Sequence, residues 1–84
     1  MYEAEVVLMN EQGLHARPAS VLVRICNNIK SDIELIKDDM TADPKSILEI
    51  MALGAETGET VTLNVEGEDE EEAFKLIAEF FENK

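Results

Sequence analysis

One stretch of this chain decides how the rest is arranged: GLHARPAS, residues 13–20, which holds the only histidine. Residues 2–8 before it largely alternate in polarity, which predicts a strand with one face on a core. Apolar residues after it recur at helical spacing from about residue 16 to residue 28. Pro18 is tolerated only in the first turn of a helix, where its missing N–H costs nothing. His15 is therefore predicted at or beside the N-cap, although histidine is not a favoured capping residue.

Two short strands and a short helix are predicted next. Residues 32–37 and 40–42 favour a hairpin around an Asp-Asp turn. Ser46 and Glu49 then fit a capping box, in which each side chain accepts from the backbone N–H of the other residue. The helix behind this box is expected to end at Gly54. Its apolar residues are assigned in two groups: Ile47, Ile50 and Met51 facing the core, and Leu48 facing solvent.

A last strand and a last helix complete the chain. Residues 61–65 alternate as a strand, and Asp69 is predicted to cap a final helix with acidic residues in its first turn. The order strand, helix, strand, strand, helix, strand, helix indicates an α+β fold. An antiparallel sheet with helices on one side fits best, because the second face of each strand is polar. Residues 1–84 are expected to form a single domain.

The formal charge of −12 is unevenly distributed. Residues 1–31 sum to zero, whereas sixteen acidic residues face four lysines from Asp32 onward. This acidity argues against nucleic acid and anionic membranes as partners, because phosphate groups need a basic footprint. The chain begins without a signal-peptide pattern and has no run of ~20 apolar residues, so we expect a cytoplasmic protein. Cys26 is a single cysteine, which we predict to be a buried apolar residue.

The chemistry of His15 follows from its predicted place at a helix N-terminus. A neutral imidazole is a nucleophile near pH 7, and the helix dipole favours both a neutral ring and a nearby anion. If His15 accepts a phosphoryl group, the free N–H groups of Ala16 and Arg17 would face that anion, and the Arg17 side chain would add charge-assisted hydrogen bonds. Composition and spacing alone nevertheless slightly favour an ordinary surface or capping histidine.

Other kinds of site at His15 are less well supported. A metal site is disfavoured because no second histidine or cysteine pair exists to complete it. Hydrolysis with Ser20, one turn away, is disfavoured because no oxyanion-hole motif can be identified.

The segment GLHARPA at residues 13–19 resembles the active-site signature of the HPr family, the histidine-containing phosphocarriers of the bacterial phosphotransferase system. The resemblance extends over the whole length. Chain length and element order match those of the family. Two further segments also match: KSI at 45–47, before a short helix ending in MALG at 51–54, and the DE pair at 69–70. The family implies an open-faced two-layer sandwich, β-α-β-β-α-β-α, with three helices on one face of a four-stranded antiparallel sheet.

The resemblance also implies a function. His15 would accept a phosphoryl group on a ring nitrogen from phosphorylated enzyme I, and Arg17 would stabilise that group. The group would then pass to a histidine on IIA domains of sugar permeases. The chain would be a monomeric carrier without a cofactor rather than an enzyme. The partner-docking residues implied in this way are Ala16, Ser20, Arg24, Ile47, Leu48 and Met51.

Ser46 matches the regulatory phosphorylation site of the family, and a phosphate there would add about two negative charges beside the docking surface. Candidate further partners are the HPr kinase/phosphorylase and a catabolite-control transcription factor. Three features depart from the family pattern. Glu49 stands where glycine or lysine is frequent, and Asn27 stands where a basic residue is frequent. Asp38-Asp39 and Asp43-Pro44 differ from the usual hairpin at the far edge of the sheet.

Two alternatives to the sugar phosphocarrier stay open on the sequence alone. The first is an HPr-like regulatory paralogue that acts in carbon catabolite control mainly by partner binding. The intact His15-Ala16-Arg17 segment argues against it, since a purely regulatory chain does not need the nucleophile. The second is an acyl carrier protein, which is also small and acidic. Its four-helix architecture conflicts with the four predicted strands.

Overall fold

The predicted order of secondary-structure elements is confirmed by a computed structural model, which describes residues 1–83. The elements are strands β1 (Tyr2–Val7), β2 (Asp32–Lys37), β3 (Met40–Ala42) and β4 (Thr60–Glu66), and helices α1 (Ala16–Asn27), α2 (Ile47–Leu53) and α3 (Glu70–Glu82). The strands exclude the helical architecture of an acyl carrier protein.

The four strands form one antiparallel sheet in the order β1-β4-β2-β3. The central strand β4 pairs on both sides, so that Leu63 lies between Ala4 of β1 and Leu35 of β2. The buried strand residues alternate and lie on the face that the helices cover. They are Val6, Ile33, Leu35, Ala42, Val61, Leu63 and Val65. The other face carries exposed or half-buried residues, so the predicted open-faced two-layer sandwich is confirmed.

The long helices α1 and α3 supply the other half of the core. Helix α1 buries Ala19, Leu22 and Cys26, and α3 buries Ile77 and Phe81. Burial raises the pKa of the Cys26 thiol to about 12, so the group is a protonated thiol at neutral pH. Cys26 is therefore the buried apolar residue that the sequence predicted, and its sulfur is not available as a thiolate.

Helix α2 buries a different set of residues from the predicted one. Ile50 and Leu53 are buried, but Ile47 and Met51 are 40% and 43% exposed, so the prediction that both face the core was wrong. At 100° per residue, Ile47 lies about 90° and Met51 about 130° from the midpoint of Ile50 and Leu53. A helix of only two turns buries a narrow stripe. Leu48, which is 79% exposed, points to solvent as predicted.

The capping box at α2 is only half formed. Ser46 Oγ accepts a hydrogen bond from the Glu49 N–H at 3.4 Å, as predicted. The reciprocal bond was predicted wrongly: Glu49 Oε1 accepts from the Asp43 N–H at 2.9 Å, while the Ser46 N–H donates to the Asp43 carbonyl. Asp43, in the turn before α2, thus supplies both the N–H that Glu49 accepts from and the carbonyl that Ser46 donates to. The Glu49 side chain consequently connects that turn to the helix. Gly54 ends α2 with φ +65°, as predicted.

Asp69 occupies the N-cap position of α3, but its side chain makes no capping bond. Its carboxylate instead accepts from the N–H groups of Lys30 and Ser31, each at 2.9 Å, and from the Ser31 hydroxyl. The reason is tertiary packing. A Cβ at Gly67 would lie only 2.6 Å from Ser31, so the loop before α3 rests directly on the loop between α1 and β2. Asp69 fastens these two loops together.

The Asp69 contacts predict a pH-dependent stability. The hydrogen bond from the Ser31 hydroxyl, followed by that from the Lys30 N–H, lowers the pKa of Asp69 below its usual range. A lowered folded-state pKa stabilises the fold above the unfolded-state pKa of about 3.9, and this contribution is lost as the pH falls through the folded-state value. Asp69→Asn should therefore reduce the free energy of unfolding at pH 7, with a smaller difference from the wild type near pH 3. Urea unfolding at both pH values measures this.

Glu72→Gln is the matched control for Asp69→Asn. Glu72 is an exposed acid in the same first turn, and its carboxylate makes no hydrogen bond to any residue in 1–83. We expect its substitution to leave the unfolding free energy almost unchanged at both pH values. Equal losses in the two variants would show that Asp69 acts only as a helix-terminal charge.

Candidate functional site

His15 is the N-cap residue of α1, as predicted, with φ −83° and ψ −175°. Its carbonyl accepts from the Ala19 N–H at 2.8 Å, while its ring makes no capping bond and its side chain is 65% exposed. No residue in 1–83 accepts from the N–H groups of Ala16 and Arg17, and Pro18 has no N–H to offer. Two unpaired amides beside an exposed imidazole form an arrangement that suits an anion.

The segment before α1 fixes the position of the His15 backbone. Gly13 has φ +69°, a left-handed conformation that side chains disfavour, and its neighbour Leu14 is buried. The Leu14 N–H donates to the Ala55 carbonyl at 2.9 Å. A Cβ at Gly13 would lie 3.1 Å from that same carbonyl oxygen. The two loops are therefore in close backbone contact directly before the histidine.

Glu56, which the sequence did not single out, lies beside the ring. The distance from its Oε1 to His15 Nε2 is 3.6 Å, and its side chain is 63% exposed. Nothing in the local sequence marks this residue. The sheet register could have placed it, because Val7 at the end of β1 pairs with Thr60 at the start of β4. The loop after β1 and the loop before β4 must consequently lie side by side.

Arg17 borders an open groove of about 530 Å³ that reaches the C-terminal part of α3. The groove is also lined by Glu11, Val21 and Phe80, whereas His15 is not among its lining residues. Arg17 is exposed, and no carboxylate in residues 1–83 lies within 4.0 Å of its guanidinium group. The guanidinium group therefore has no ion-pair partner within residues 1–83.

The six residues predicted to dock partners lie on α1 and α2, two helices that pack against each other. We call Ala16, Ser20, Arg24, Ile47, Leu48 and Met51 the docking face. Ser20 is half-buried and donates its hydroxyl to the Arg17 carbonyl at 2.8 Å; the other five residues are exposed. Arg17, Ser20 and Arg24 are three and seven residues apart, which places them on one side of α1.

Ser46 is half-buried at the start of α2, and its Oγ accepts from the Glu49 N–H. The neighbouring Lys45 extends away, because its Nζ donates to the Ser31 carbonyl at 3.1 Å. Glu49, by contrast, lies within the same helical turn as Ser46. The Asp43 carboxylate is also close, because its Oδ1 accepts from the Lys45 N–H at 2.9 Å. A negative group added to Ser46 would therefore lie at the start of a short helix that already has acidic residues beside it.

Two negative findings concern residues 1–83. No group of three or more histidine, cysteine, aspartate or glutamate side chains in this part of the chain is arranged to hold a metal ion. None of its helices has the length and apolar character needed to cross a membrane.

Known proteins resemble this chain over nearly its whole length. The family model "PTS HPr component phosphorylation site" matches residues 2–83. The phosphocarrier protein HPr of Treponema pallidum is 39% identical over 79 residues, which cover 94% of this chain and 90% of the relative. The crystal structure of HPr from Thermoanaerobacter tengcongensis superimposes with a TM-score of 0.93 at 41% identity, covering 98% of this chain and 92% of that one.

A regulatory relative is also similar. The crystal structure of Crh, a catabolite-repression protein of Bacillus subtilis, superimposes with a TM-score of 0.78 at 40% identity, covering 96% of this chain and 93% of that one. That protein is described as an intertwined dimer with a swapped domain. Fold, site and these likenesses together define a protein of the phosphocarrier class. The chain belongs to the HPr family, whose members include Crh-like paralogues.

Substitution of Gly13 tests the loop contact that positions His15. Gly13→Ala should lower the free energy of unfolding by more than the ~1–2 kcal/mol of a left-handed alanine, because the added Cβ also crowds the Ala55 carbonyl. The His15 ring resonances should shift as the loop adjusts. Urea unfolding and NMR spectra measure the two effects.

Gly54→Ala is the matched control, since Gly54 has nearly the same φ, +65°, but its nearest atom to an added Cβ is 3.9 Å away. We expect Gly54→Ala to lower the unfolding free energy only by the cost of placing an alanine in a left-handed conformation. The His15 resonances should not shift. Equal losses in both variants would contradict a special role for the Gly13 contact.

Proposed function

We propose that this chain is a phosphocarrier that accepts a phosphoryl group on His15 from phosphorylated enzyme I and passes it to a histidine on IIA domains of sugar permeases. The observation that carries the proposal is the exposed His15 ring beside the two unpaired N–H groups of Ala16 and Arg17. The chain is a carrier rather than an enzyme, and it needs no cofactor. It acts as a monomer in the cytoplasm, where phosphoenolpyruvate supplies the phosphoryl group.

The transfer step uses few groups of this chain. A ring nitrogen of His15 donates its lone pair to phosphorus, and the bond between phosphorus and its carrier atom in enzyme I breaks. The phosphoryl oxygens then face the Ala16 and Arg17 amides and the guanidinium group of Arg17, which favour the anion through hydrogen bonds and charge. Transfer to a IIA domain is the same exchange in reverse, with the His15 ring as the leaving group.

Partner recognition is assigned to the docking face. Three exposed apolar side chains on α2 contribute to this face: Ile47, Leu48 and Met51. Arg24 on α1 adds a positive charge beside them. Residues 1–31, which include α1, carry no net charge, whereas the rest of the chain is strongly acidic. An apolar patch beside basic residues fits an acidic partner surface with an apolar centre.

The phosphocarrier proposal is tested with phosphoenolpyruvate and enzyme I. Mass spectrometry should show a single acid-labile phosphoryl adduct on the wild type, and His15→Ala should show none. Arg24→Ala is the control, because it alters the docking face and leaves the nucleophile intact; it should slow the reaction without abolishing the adduct. A wild-type chain that acquires no adduct from a competent enzyme I would refute the proposal.

Ser46 is proposed as a regulatory phosphorylation site for an HPr kinase/phosphorylase, with a catabolite-control transcription factor as a further partner. A phosphate on Ser46 would be favoured by the start of α2 but would place about two negative charges next to Ile47 and Leu48. The same charge would lie in one helical turn with Glu49. The modification would thus alter the docking face without unfolding the helix.

Charge substitution at Ser46 tests this regulation. Ser46→Asp should slow phosphorylation of His15 by enzyme I severalfold, because it adds a negative charge beside the docking face. Ser46→Ala is the neutral control; it should retain the transfer rate and lose about 1 kcal/mol of unfolding free energy with the helix cap. Initial transfer rates and urea unfolding measure both. Equal transfer rates for Ser46→Asp and Ser46→Ala would contradict the proposed regulation.

A second candidate function is that of a Crh-like regulatory paralogue, which would act mainly by binding partners. It is favoured by the nearly equal identities to the HPr and Crh structures, 41% and 40%. The exposed His15 with its free amides argues against it, since partner binding alone does not need a nucleophile. Rapid transfer of the phosphoryl group from His15 to a IIA domain would reject this candidate.

A further inference from the structure

Glu56 is the one acidic side chain in residues 1–83 that lies within 4.0 Å of the His15 ring. Its Oε1 faces Nε2 at 3.6 Å, slightly beyond hydrogen-bond distance. Contacts of this kind in unliganded sites are often long and tighten during the reaction. The neighbouring carboxylate, Glu59, pairs instead with Lys37 at 3.2 Å. Glu56 has no lysine, arginine or other cation within 4.0 Å in the part of the chain that the structure describes.

The backbone of Glu56 is held beside His15 by independent contacts. Its N–H donates to Glu59 Oε1 at 2.6 Å, and the preceding residue, Ala55, accepts from the Leu14 N–H at 2.9 Å. The Glu56 Cα and Oε1 would lie 3.4 and 3.3 Å from a Cβ at Gly13. The loop that carries the carboxylate is therefore in contact with the loop that carries the histidine.

A carboxylate that lies beside one ring nitrogen of a histidine influences which nitrogen has a free lone pair and can act as the nucleophile. It favours a proton on the nitrogen that it faces, and the lone pair of a neutral ring is then on the opposite nitrogen. In serine hydrolases, a buried aspartate orients the histidine and stabilises the imidazolium in this way. The pair in this chain is exposed, so the effect should be much smaller.

We propose that Glu56 is a positioning residue for His15: it holds the ring proton on Nε2, directs the Nδ1 lone pair at phosphorus, and stabilises the cationic ring formed in the transfer. This inference rests on the proposed phosphocarrier function. As the Nδ1–phosphorus bond forms, the bond from phosphorus to the donor atom breaks, and the donor retains that electron pair. The ring then carries one positive charge and keeps its Nε2 proton, which faces the carboxylate.

The same carboxylate opposes the phosphoryl group itself. The amides of Ala16 and Arg17 attract the phosphoryl oxygens, whereas the negative charge of Glu56 repels them. Protonation of Nε2 makes the ring a better leaving group when the phosphoryl group moves on. Glu56 is therefore expected to favour turnover of the phosphorylated state in both directions rather than its accumulation.

The first test uses long-range ¹H–¹⁵N NMR to measure which ring nitrogen of His15 carries the proton. It is done on the unphosphorylated full chain in basic solution. Glu56→Lys should raise the ratio of Nδ1-protonated to Nε2-protonated rings about two- to fivefold, the range expected for an exposed pair. Glu5→Lys is the matched control, because it makes the same charge change on the open face of the sheet. It should leave the ratio unchanged. Equal ratios in all three chains would overturn the inference.

The second test measures chemical phosphorylation by phosphoramidate, a small donor that loses ammonia and has no docking surface. Glu56→Lys should lower the ratio of Nδ1-phosphorylated to Nε2-phosphorylated His15 roughly two- to fivefold, because the carboxylate both favours a proton on Nε2 and repels a phosphoryl group from that nitrogen; added salt should narrow the difference. An unchanged ratio would contradict the transfer role. The tautomer measurement needs no phosphoryl transfer, so failure of the enzyme I reaction would refute the carrier proposal separately from the contact between Glu56 and His15.

Discussion

The site depends on one backbone hydrogen bond, from the Leu14 N–H to the Ala55 carbonyl. It joins the loop after β1 to the loop before β4, two segments that the antiparallel pairing of Val7 with Thr60 already brings together. Close contact is possible because Gly13 has no side chain and adopts a left-handed conformation. Leu14 enters the core while His15 is left exposed at the start of α1. The sheet register therefore brings the histidine, the start of α1 and Glu56 together, and the hydrogen bond between Leu14 and Ala55 holds the two loops in contact.

Local patterns predicted the fold well because each pattern had a single physical interpretation. Pro18 restricted the start of α1, alternation identified the strands, and Gly54 ended α2 where a left-handed residue was needed. His15, as the N-cap residue, followed from the same rule. The local patterns could not give the rotation of α2 about its axis. Seven residues contain too few apolar positions to distinguish Ile50 and Leu53 from Ile47 and Met51.

Acidic side chains were the part of the sequence that local rules described least well. Asp69 and Glu49 occupy the expected capping positions, but their carboxylates accept from Ser31 and Asp43, which belong to other segments. Glu56 was missed altogether because its partner, His15, is distant in sequence. A carboxylate accepts from whichever donors tertiary packing brings within reach, and that information lies in the pairing of the strands. Helix termini can be predicted from sequence more reliably than the partners of their side chains.

A carrier must release its phosphoryl group as readily as it accepts it, so a site that only attracts the anion would be unsuitable. The helix terminus favours a nearby anion by about 0.3–1 kcal/mol, and an exposed ion pair such as that of Glu56 with a charged His15 is worth about 0.2–1 kcal/mol. These magnitudes are comparable. Under the proposed function, neither influence would dominate: the amides of Ala16 and Arg17 would favour the phosphoryl oxygens, and Glu56 would repel them while stabilising the cationic ring. Such a balance would keep the energy of the phosphorylated state close to that of its donors and acceptors, which reversible transfer requires.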